Sequence, residues 1–390
     1  MGDDGRPRIL GYPAARRLAL SAVSDRFVRL LLGGDVMTGR GVDQILPHPG
    51  DPVLHERYVH DARRYVELAE AANGPIPRPV DFAWPWGDAL QVMTEASTEL
   101  RLVNLETSIT RSNDYEPGKA VHYRMNPANL ECVADANVVC TLANNHVLDF
   151  GVRGLTETLG VLADGGVQAV GAGRSVDEAR RPVTVETSAA VVTVFAFGMP
   201  SSGVPARWAA TADRPGVNVV GKWSNGAARD LMRRIAQAKR RGEIVVVSVH
   251  WGSNWGYDVP AADVRLGHLL VDEGADVVFG HSSHHPRPIE VYRGRLILYG
   301  CGDLIDDYEG ITGFEEYRDD LRLLYIATVD ADTGELSALL MTPFQARQMR
   351  LHRASGTDSG WLAANLGRVS RRFGSQVGLD PEGSLVLEAM

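Results

Sequence analysis

The sequence predicts an α/β fold built on one mixed sheet or on two packed sheets. Apolar runs typical of buried strands alternate with helical stretches, as where residues 191–199 and 243–252 flank a helix predicted at about 225–240. Towards the carboxyl end, apolar runs follow one another closely, as hairpin strands do, in "RLILYGCGDLI" and "DDLRLLYIATVD". Strands that first alternate with helices and later pair with each other are typical of α/β proteins.

The predicted elements follow in order along the chain. Residues 1–26 are polar and arginine-rich and read as a loose arm before the first buried strand, "FVRLLLGGD". An insertion with a helix near 55–71 comes next. The later elements are strands at 100–110, 137–151, 191–199 and 243–252, helices at 152–165 and 225–240, the closely spaced strands after residue 277, and a tail with a helix near 359–373 and a short strand. We divide the chain into an arm (1–26), a main domain (27–345) and an extension packed on it (346–390).

Composition limits the classes of function. The chain has 390 residues, of which 44% are hydrophobic and 23% are charged, as expected of a globular protein in water. A formal net charge of −9 argues against a nucleic-acid partner. The three cysteines are scattered, the first residues lack the apolar stretch of a signal peptide, and no apolar run is long enough to cross a bilayer. We therefore expect a cytoplasmic protein without a membrane partner; its oligomeric state stays open.

Polar side chains recur at the points where predicted strands stop. The carboxyl ends of strands are where α/β sheets form their sites, and carboxylate, amide and imidazole groups together suit Mn, Zn, Fe or Mg better than a soft thiolate metal. The residues in these positions are Asp35, Glu106, Asn145, His146, His250, His281, His284 and Asp303. Their joint occurrence predicts a metal site.

Ordinary structural roles also exist for single members of this set. Asp35 can cap a helix, Asn145 can belong to a turn, and His146 or His250 can be hydrogen-bonded core histidines. His285 follows in the same loop as His281 and is expected behind the site or at the surface.

Five motifs carry a resemblance to a known family. In order they are "GGDVMTGRG", "NLETSIT", "LANNHVLDFG", "VVSVHWG" and "VVFGHSSHHPRPIEVYRGRLILYGCGDLI". They resemble the capsule-synthesis protein A (CapA) family, also called the poly-γ-glutamate capsule family, within the calcineurin-like metallophosphoesterase superfamily. The resemblance covers residues 27–345. It implies a four-layer α/β/β/α sandwich with one or two divalent metal ions, Mn, Zn, Fe, Mg or Ca, at the sheet edge.

The superfamily pattern carries over to individual residues. Met37 stands where the first motif of the superfamily has a histidine, and the last motif is one residue longer here. His146 is implied to face the substrate rather than the metal. The metal ligands that the resemblance implies are Asp35, Glu106, Asn145, His250, His281 and His284.

Three functions are compatible with such a site. Two are reactions, namely hydrolysis by metal-activated water and proton transfer at a carbon, and the third is a role in capsule assembly. Soluble, anchorless CapA-like proteins of actinobacteria are epimerases of lasso-peptide biosynthesis, and this chain resembles them. We therefore expect a metal-dependent peptide epimerase that inverts the Cα centre of the C-terminal residue of a ribosomal precursor peptide. His146 is its first proton-transfer group, with Asp303 or His285 as partner. The alternative is a metal-dependent hydrolase of a phosphoester or of a poly-γ-glutamate-like amide.

The expected partner is thus a peptide substrate, bound by residues outside the strands. Segment 199–218 is a candidate lid. The candidate substrate-binding residues are Arg40, Lys119, His122, Tyr123, Arg124, Trp251 and Trp255. No organic cofactor is expected, because neither a Gly-x-x-x-x-Gly-Lys loop nor a Gly-x-Gly-x-x-Gly turn between a strand and a helix occurs.

Overall fold

The computed structural model describes residues 26–221 and 226–388, which form two large β-sheets, two small two-stranded sheets and the helices outside them. The strands are β1 (Phe27–Val36), β2 (Leu100–Leu105), β3 (Ser108–Ile109), β4 (Arg124–Met125), β5 (Val139–Thr141), β6 (Ala169–Val170), β7 (Ala172–Gly173), β8 (Val183–Glu186), β9 (Val191–Gly198), β10 (Gly216–Val217), β11 (Ile244–His250), β12 (Val277–His281), β13 (Ile289–Tyr292), β14 (Arg295–Leu298), β15 (Asp303–Ile305), β16 (Leu321–Asp330), β17 (Leu336–Arg347), β18 (Arg350–Arg353), β19 (Gln376–Leu379) and β20 (Leu385–Glu388). The helices are α1 (Gly41–Ile45), α2 (Arg63–Asn73), α3 (Ala89–Glu95), α4 (Glu131–Ala134), α5 (Gly151–Asp164), α6 (Val176–Ala179), α7 (Gly226–Arg240), α8 (Ala261–Asp272) and α9 (Gly356–Ser370).

The first sheet is mixed and has β1 near its centre. Its strand order is β19-β20-β17-β16-β1-β2-β5-β6, with β15 also paired to β1 and β18 to β17. β1, β2, β5 and β6 are parallel, whereas β16 runs antiparallel to β1.

The second sheet has the order β13-β14-β12-β11-β9-β8. Its central strands β9, β11, β12 and β14 are parallel. β11 and β12 are buried along their whole length, which explains their continuous apolar sequence.

Alternate residues of the second sheet show how the layers pack. Val192 and Val194 of β9 belong to the large core that they share with the first sheet, while Phe195 and Phe197 join a second core with α7 and α8. Helices α1, α2, α3 and α5 contribute to the large core from the side of the first sheet. The fold is therefore the four-layer α/β/β/α sandwich, and the predicted fold class is confirmed.

Two predicted helix boundaries differ from the observed ones for local reasons. The helix expected near 55–71 is α2, which begins at Arg63 because Val53 and Asp61 pair as a short bridge before it. The tail helix expected near 359–373 is α9. It begins at Gly356, since the Ser355 side chain accepts a hydrogen bond from the backbone N–H of Asp358 and caps its start.

The carboxyl-terminal part joins both sheets. β17 runs through residue 345, and β19 and β20 extend the first sheet at its edge. Helix α9 contacts β19 of the first sheet and β13 of the second. The arm predicted at 1–26 lies, except for Arg26, outside the described residues, and the domain division stays a prediction. Among the described helices, none combines the length and the apolar character needed to cross a membrane.

Candidate metal centre

The candidate metal centre lies where strand ends of the two sheets come together. β1 and β2 are parallel neighbours, so Asp35 lies in register with Asn104, and Glu106 follows the end of β2. In the second sheet, His250 lies in register with His281 because β11 and β12 are also parallel neighbours. Each buried apolar strand thus delivers its first polar residues to the same edge.

Five buried side chains form two overlapping groups of possible metal ligands. Asp35, His250 and His281 make one group; Asp35, His284 and Asp303 make the other. Within each group the ligand atoms lie within 4.8 Å of one another. Carboxylate oxygens and imidazole nitrogens are donors that divalent ions such as Mn²⁺ and Zn²⁺ accept. The residues present therefore fit a divalent metal, with Asp35 common to both groups.

Asp303 reaches the centre through a strand pairing that the sequence does not reveal. The short strand β15 pairs with β1 and brings Asp303 into register with Asp35. Its Oδ1 lies 3.0 Å from Nδ1 of His284. Asp303, a proton-transfer candidate from the sequence, thus stands among the possible ligands instead.

Asn104 organises the carboxylates and was missed from the sequence. Its Nδ2 donates to Oδ1 of Asp35 and to Oε2 of Glu106, both at 2.8 Å. The backbone N–H of Ser282 donates to the other oxygen of Asp35 at 3.2 Å. The signal that points to Asn104 is a polar residue near the end of a largely apolar strand, two positions before Glu106.

Glu106 and Asn145, two predicted ligands, border the first group. Oδ1 of Asn145 lies 3.0 Å from Nε2 of His250, and Oε1 of Glu106 lies 3.8 Å from the same nitrogen. Neither residue belongs to the two groups above, but both lie beside His250. The structure thus brings all six predicted ligands to one place.

Burial gives this centre a strong preference for a cation. Burial, and then the charge of Asp303, raises the pKa of Asp35 to about 7, and burial raises the pKa of Asp303 to about 7 as well. Burial likewise raises the pKa of Glu106, with Asp35 adding to the effect. Burial lowers the pKa of His281 to about 3, so its ring is neutral at pH 7. Neutral imidazole is the form that binds metal, and a cation offsets the repulsion between the carboxylates.

His146 forms an acid/base pair with Asp149, a residue that the sequence did not single out. Its Nδ1 donates to Oδ2 of Asp149 at 2.6 Å, which leaves Nε2 on the side of Glu106, 3.8 Å from Oε1. Burial lowers the pKa of His146 to about 4, although Asp149 acts in the opposite direction. The imidazole is therefore a neutral proton acceptor at pH 7. The i, i+3 spacing within "NNHVLD" is the signal for this pair.

Lys119 supports this pair from the opposite side. Its ammonium group donates to Oδ1 of Asp149 and to the backbone carbonyl of Asn145. The same nitrogen lies 5.3 Å from the ring centre of Trp208, which belongs to the candidate lid 199–218. In that segment the Ser202 hydroxyl donates to the backbone carbonyl of His250 at 2.7 Å. Lys119, expected to bind substrate, is thus held to Asp149 and anchors this side of the centre.

An aromatic cavity of about 200 Å³ opens beside His284. We call it the inner cavity. Three predicted substrate-binding residues line it, namely Arg40, Tyr123 and Trp255. The indole of Trp255 lies 5.3 Å from the imidazole of His284, measured between ring centres. The inner cavity is therefore the natural place for substrate next to the metal ligands.

Arg40 is already occupied by protein carboxylates. It is 3% exposed, donates through Nε to Asp307 at 3.1 Å and pairs through its other nitrogens with Asp307 and Glu56. Its guanidinium also lies 3.8 Å from the ring centre of Tyr65. Arg40 thus forms the floor of the inner cavity and does not offer a free charge to a substrate.

Arg40→Met is expected to lower the free energy of unfolding by about 3–5 kcal/mol, because Asp307 and Glu56 would be left buried without their counter-ion. Urea denaturation measures the effect. The matched control is Arg78→Met, which removes a surface pair with Glu70 and should cost at most about 1 kcal/mol. Equal losses in the two variants would contradict the structural role of Arg40.

The other candidate substrate residues lie outside the inner cavity. Trp251 is buried in the second core, and its indole N–H donates to the carbonyl of Tyr299 at 3.0 Å. Nε2 of His122 lies 2.7 Å from the carbonyl of Glu116. Arg124 donates to the carbonyls of Ser112 and Asp51, both at 3.0 Å. We correct their assignment: these side chains hold the core and the loops together.

His285 is buried in an aromatic stack and is not positioned for proton transfer. Its ring lies 4.6 Å from that of Tyr317 and 6.0 Å from that of Trp255, both stacked. Its Nδ1 lies 3.1 Å from the carbonyl of Pro286, and burial lowers its pKa to about 3. The aromatic neighbours explain both the burial and the lowered pKa.

Comparisons with known proteins agree with the resemblance. The family described as bacterial capsule synthesis protein PGA_cap matches residues 29–308. A Mycobacterium tuberculosis protein named probable polyglutamine synthesis accessory protein is 52% identical over 92% of this chain and 95% of its own. The PGA biosynthesis protein CapA of Bacillus subtilis is 28% identical over 77% of this chain and 68% of its own.

A solved structure described as a novel phosphatase from Mycoplasma pneumoniae matches at a TM-score of 0.43 and 12% identity, over 81% of this chain and 93% of that one, which is too distant to bear on function. The family match, in contrast, extends over most of the chain and contains the strand-end residues from Asp35 to Asp303. The chain therefore belongs to the bacterial capsule synthesis protein family, PGA_cap, as its five motifs predicted.

Proposed function

We propose that this protein is a metal-dependent hydrolase that cleaves an amide bond in a glutamyl chain. The observation that carries the proposal is the His146–Asp149 pair, whose free ring nitrogen lies next to the ligand groups, 3.8 Å from Glu106. A neutral imidazole oriented by a buried carboxylate is suited to take a proton from water and to deliver it to a leaving group. The glutamyl chain is inferred from the resemblance to the poly-γ-glutamate capsule family and from the two relatives, one named for polyglutamine synthesis and the other for PGA biosynthesis.

One set of residues would bind the metal, and the His146–Asp149 pair would transfer the proton. Asp35, His250, His281, His284 and Asp303 would hold the metal. A bound divalent ion would polarise the scissile carbonyl and make water a better nucleophile. His146 takes the proton of the attacking water at Nε2, and the hydrogen bond from Nδ1–H to Asp149 stabilises the imidazolium that results. The same nitrogen then protonates the leaving amine.

Hydrolysis fits this arrangement better than epimerisation. Inverting a Cα centre requires one group to remove the proton and another to return it on the opposite face. His146 supplies one such group, but Asp303 stands among the possible ligands and His285 is enclosed by Tyr317 and Trp255. The described residues thus favour the alternative that the sequence had placed second.

Isotope labelling tests the proposal. The protein, loaded with Mn²⁺, is incubated with poly-γ-glutamate oligomers in H₂¹⁸O, and the products are examined by mass spectrometry. We expect shorter oligomers with one ¹⁸O in each new carboxylate. Asp35→Ala is the matched negative control.

Two other outcomes would overturn the proposed amide hydrolysis. Uptake of one deuterium from D₂O at a Cα, without cleavage of a peptide, would indicate an epimerase. Release of phosphate from p-nitrophenyl phosphate, with the oligomers left intact, would indicate a phosphoesterase.

A further inference from the structure

A second cavity continues outward from the inner cavity. It has a volume of about 310 Å³, and we call it the outer cavity. The two share Tyr308, Ile311 and Asp319 among the residues that line them. The two cavities therefore adjoin, and Asp319 borders both of them.

The wall of the inner cavity is mainly aromatic. Trp255 and Phe314 stack with ring centres 3.9 Å apart, and the ring of Tyr308 lies 5.1 Å from that of His284. The Tyr123 hydroxyl donates to the hydroxyl of Tyr308 at 2.8 Å. Because this hydrogen bond engages both phenol oxygens, Tyr123 and Tyr308 present largely ring surface to the cavity. Ring surface attracts cations and apolar groups.

One carboxylate beside the inner cavity forms no direct ion pair among the described residues. Arg40 is offset by Asp307 and Glu56. Among the residues that the structure describes, Asp319 has no cationic side chain within ion-pair distance, although arginines stand one position before it and three after.

Neither of these arginines forms a direct ion pair with Asp319, and both pair with other carboxylates. Arg318 donates to Asp320 at 2.8 and 3.0 Å and to Asp358 at 2.8 Å. Arg322, buried, donates to Asp306 at 2.5 Å. Burial raises the pKa of Asp319, while the charge of Arg322 partly opposes that effect. Asp319 is thus left without a direct ion pair and can accept a cation from solvent.

We propose that the inner cavity binds an alkylammonium group of the substrate, with Asp319 as its counter-ion and with Trp255, Tyr308 and Phe314 as its aromatic wall. The binding of an ammonium group does not depend on the proposed function. The assignment of that group to a glutamyl substrate rests on it. In a glutamyl chain the group is the free amino end, so the site would act on the first residues of the chain.

Binding of a simple probe tests the site without any turnover. n-Butylammonium and its neutral analogue n-butanol are titrated against the full chain at pH 7, with Mn²⁺ and without it, and saturation-transfer NMR follows the ligand methyl signal. We expect n-butylammonium to bind about tenfold more tightly than n-butanol. Asp319→Asn should abolish that preference, and Trp255→Ala should weaken binding of the ammonium.

Glu316→Gln is the matched control, since it removes an exposed carboxylate three residues away that lines neither cavity. It should leave the preference unchanged. Equal affinity for the two probes in the wild type, or an unchanged preference in Asp319→Asn, would overturn the ammonium site. If the protein prefers n-butylammonium to n-butanol but does not hydrolyse glutamyl oligomers, the ammonium site is supported and only the proposed hydrolase is rejected.

Discussion

Asp35→Ala is expected to remove metal from both ligand groups at once, because Asp35 is the residue they share. Loss of a supporting residue around a metal costs roughly 10–100-fold in affinity, and loss of the shared ligand should cost more. Elemental analysis of the purified variant measures the metal content, and the glutamyl assay should show no turnover.

The histidine variants provide the matched comparison. His281→Ala and His284→Ala each remove a ligand from one group alone, so each should lower the metal content less than Asp35→Ala does. The fold should survive in all three. Metal content equal to that of the wild type in both histidine variants would reject the ligand assignment.

Asp35→Ala should increase the thermal stability of the protein when no metal is present, although it lowers metal binding. Burial and the charge of Asp303 raise the pKa of Asp35 to about 7. As pH rises from the unfolded value of 3.8 to about 7, the unfolded carboxyl ionises freely while the folded one keeps its proton, so stability falls. Above about 7 the folded carboxyl is ionised as well, and the full cost of burying it remains. The metal-free variant should melt at a higher temperature than the metal-free wild type at pH 8.

His146→Ala is expected to reduce turnover by about 10²–10⁴-fold, the usual contribution of general acid/base catalysis. Its metal content should stay at the wild-type level, because His146 belongs to neither ligand group. The result would be the reverse of the ligand variants, in which metal and activity are lost together.

Asp149→Asn refines that test. The amide cannot stabilise the imidazolium as the carboxylate does, so turnover should fall while the geometry around His146 Nδ1 is nearly kept. Full activity in both variants would exclude the pair from the reaction. A loss of metal in His146→Ala would assign His146 to metal binding instead.

The positions of Asp35, His250 and His281 could be predicted because they depend on strand ends alone. An apolar run gives the length of a buried strand, and parallel pairing carries the next polar residue to a common edge. The fold class followed from the same runs together with the family motifs. The positions of these three residues do not depend on the conformation of the loops.

The remaining assignments depend on contacts that no local pattern encodes. Asp303 is a possible ligand because the short strand β15 returns to β1. Arg40 is unavailable to substrate because Glu56 and Asp307, one of them 267 positions away, enclose it. Trp251 faces the helices and Trp255 the inner cavity, although only a short loop separates them.

The place of β1 in the first sheet has a consequence for synthesis on the ribosome. β1 is bordered by β2 on one side and by β16 on the other, with Phe27 opposite Asp330. At the usual 5–20 residues per second, roughly 10–40 s pass between the emergence of β2 and that of β16. During that time β1 has one unpaired edge, which is a template for association with other chains. Production of this protein should therefore depend on chaperones that bind extended apolar segments.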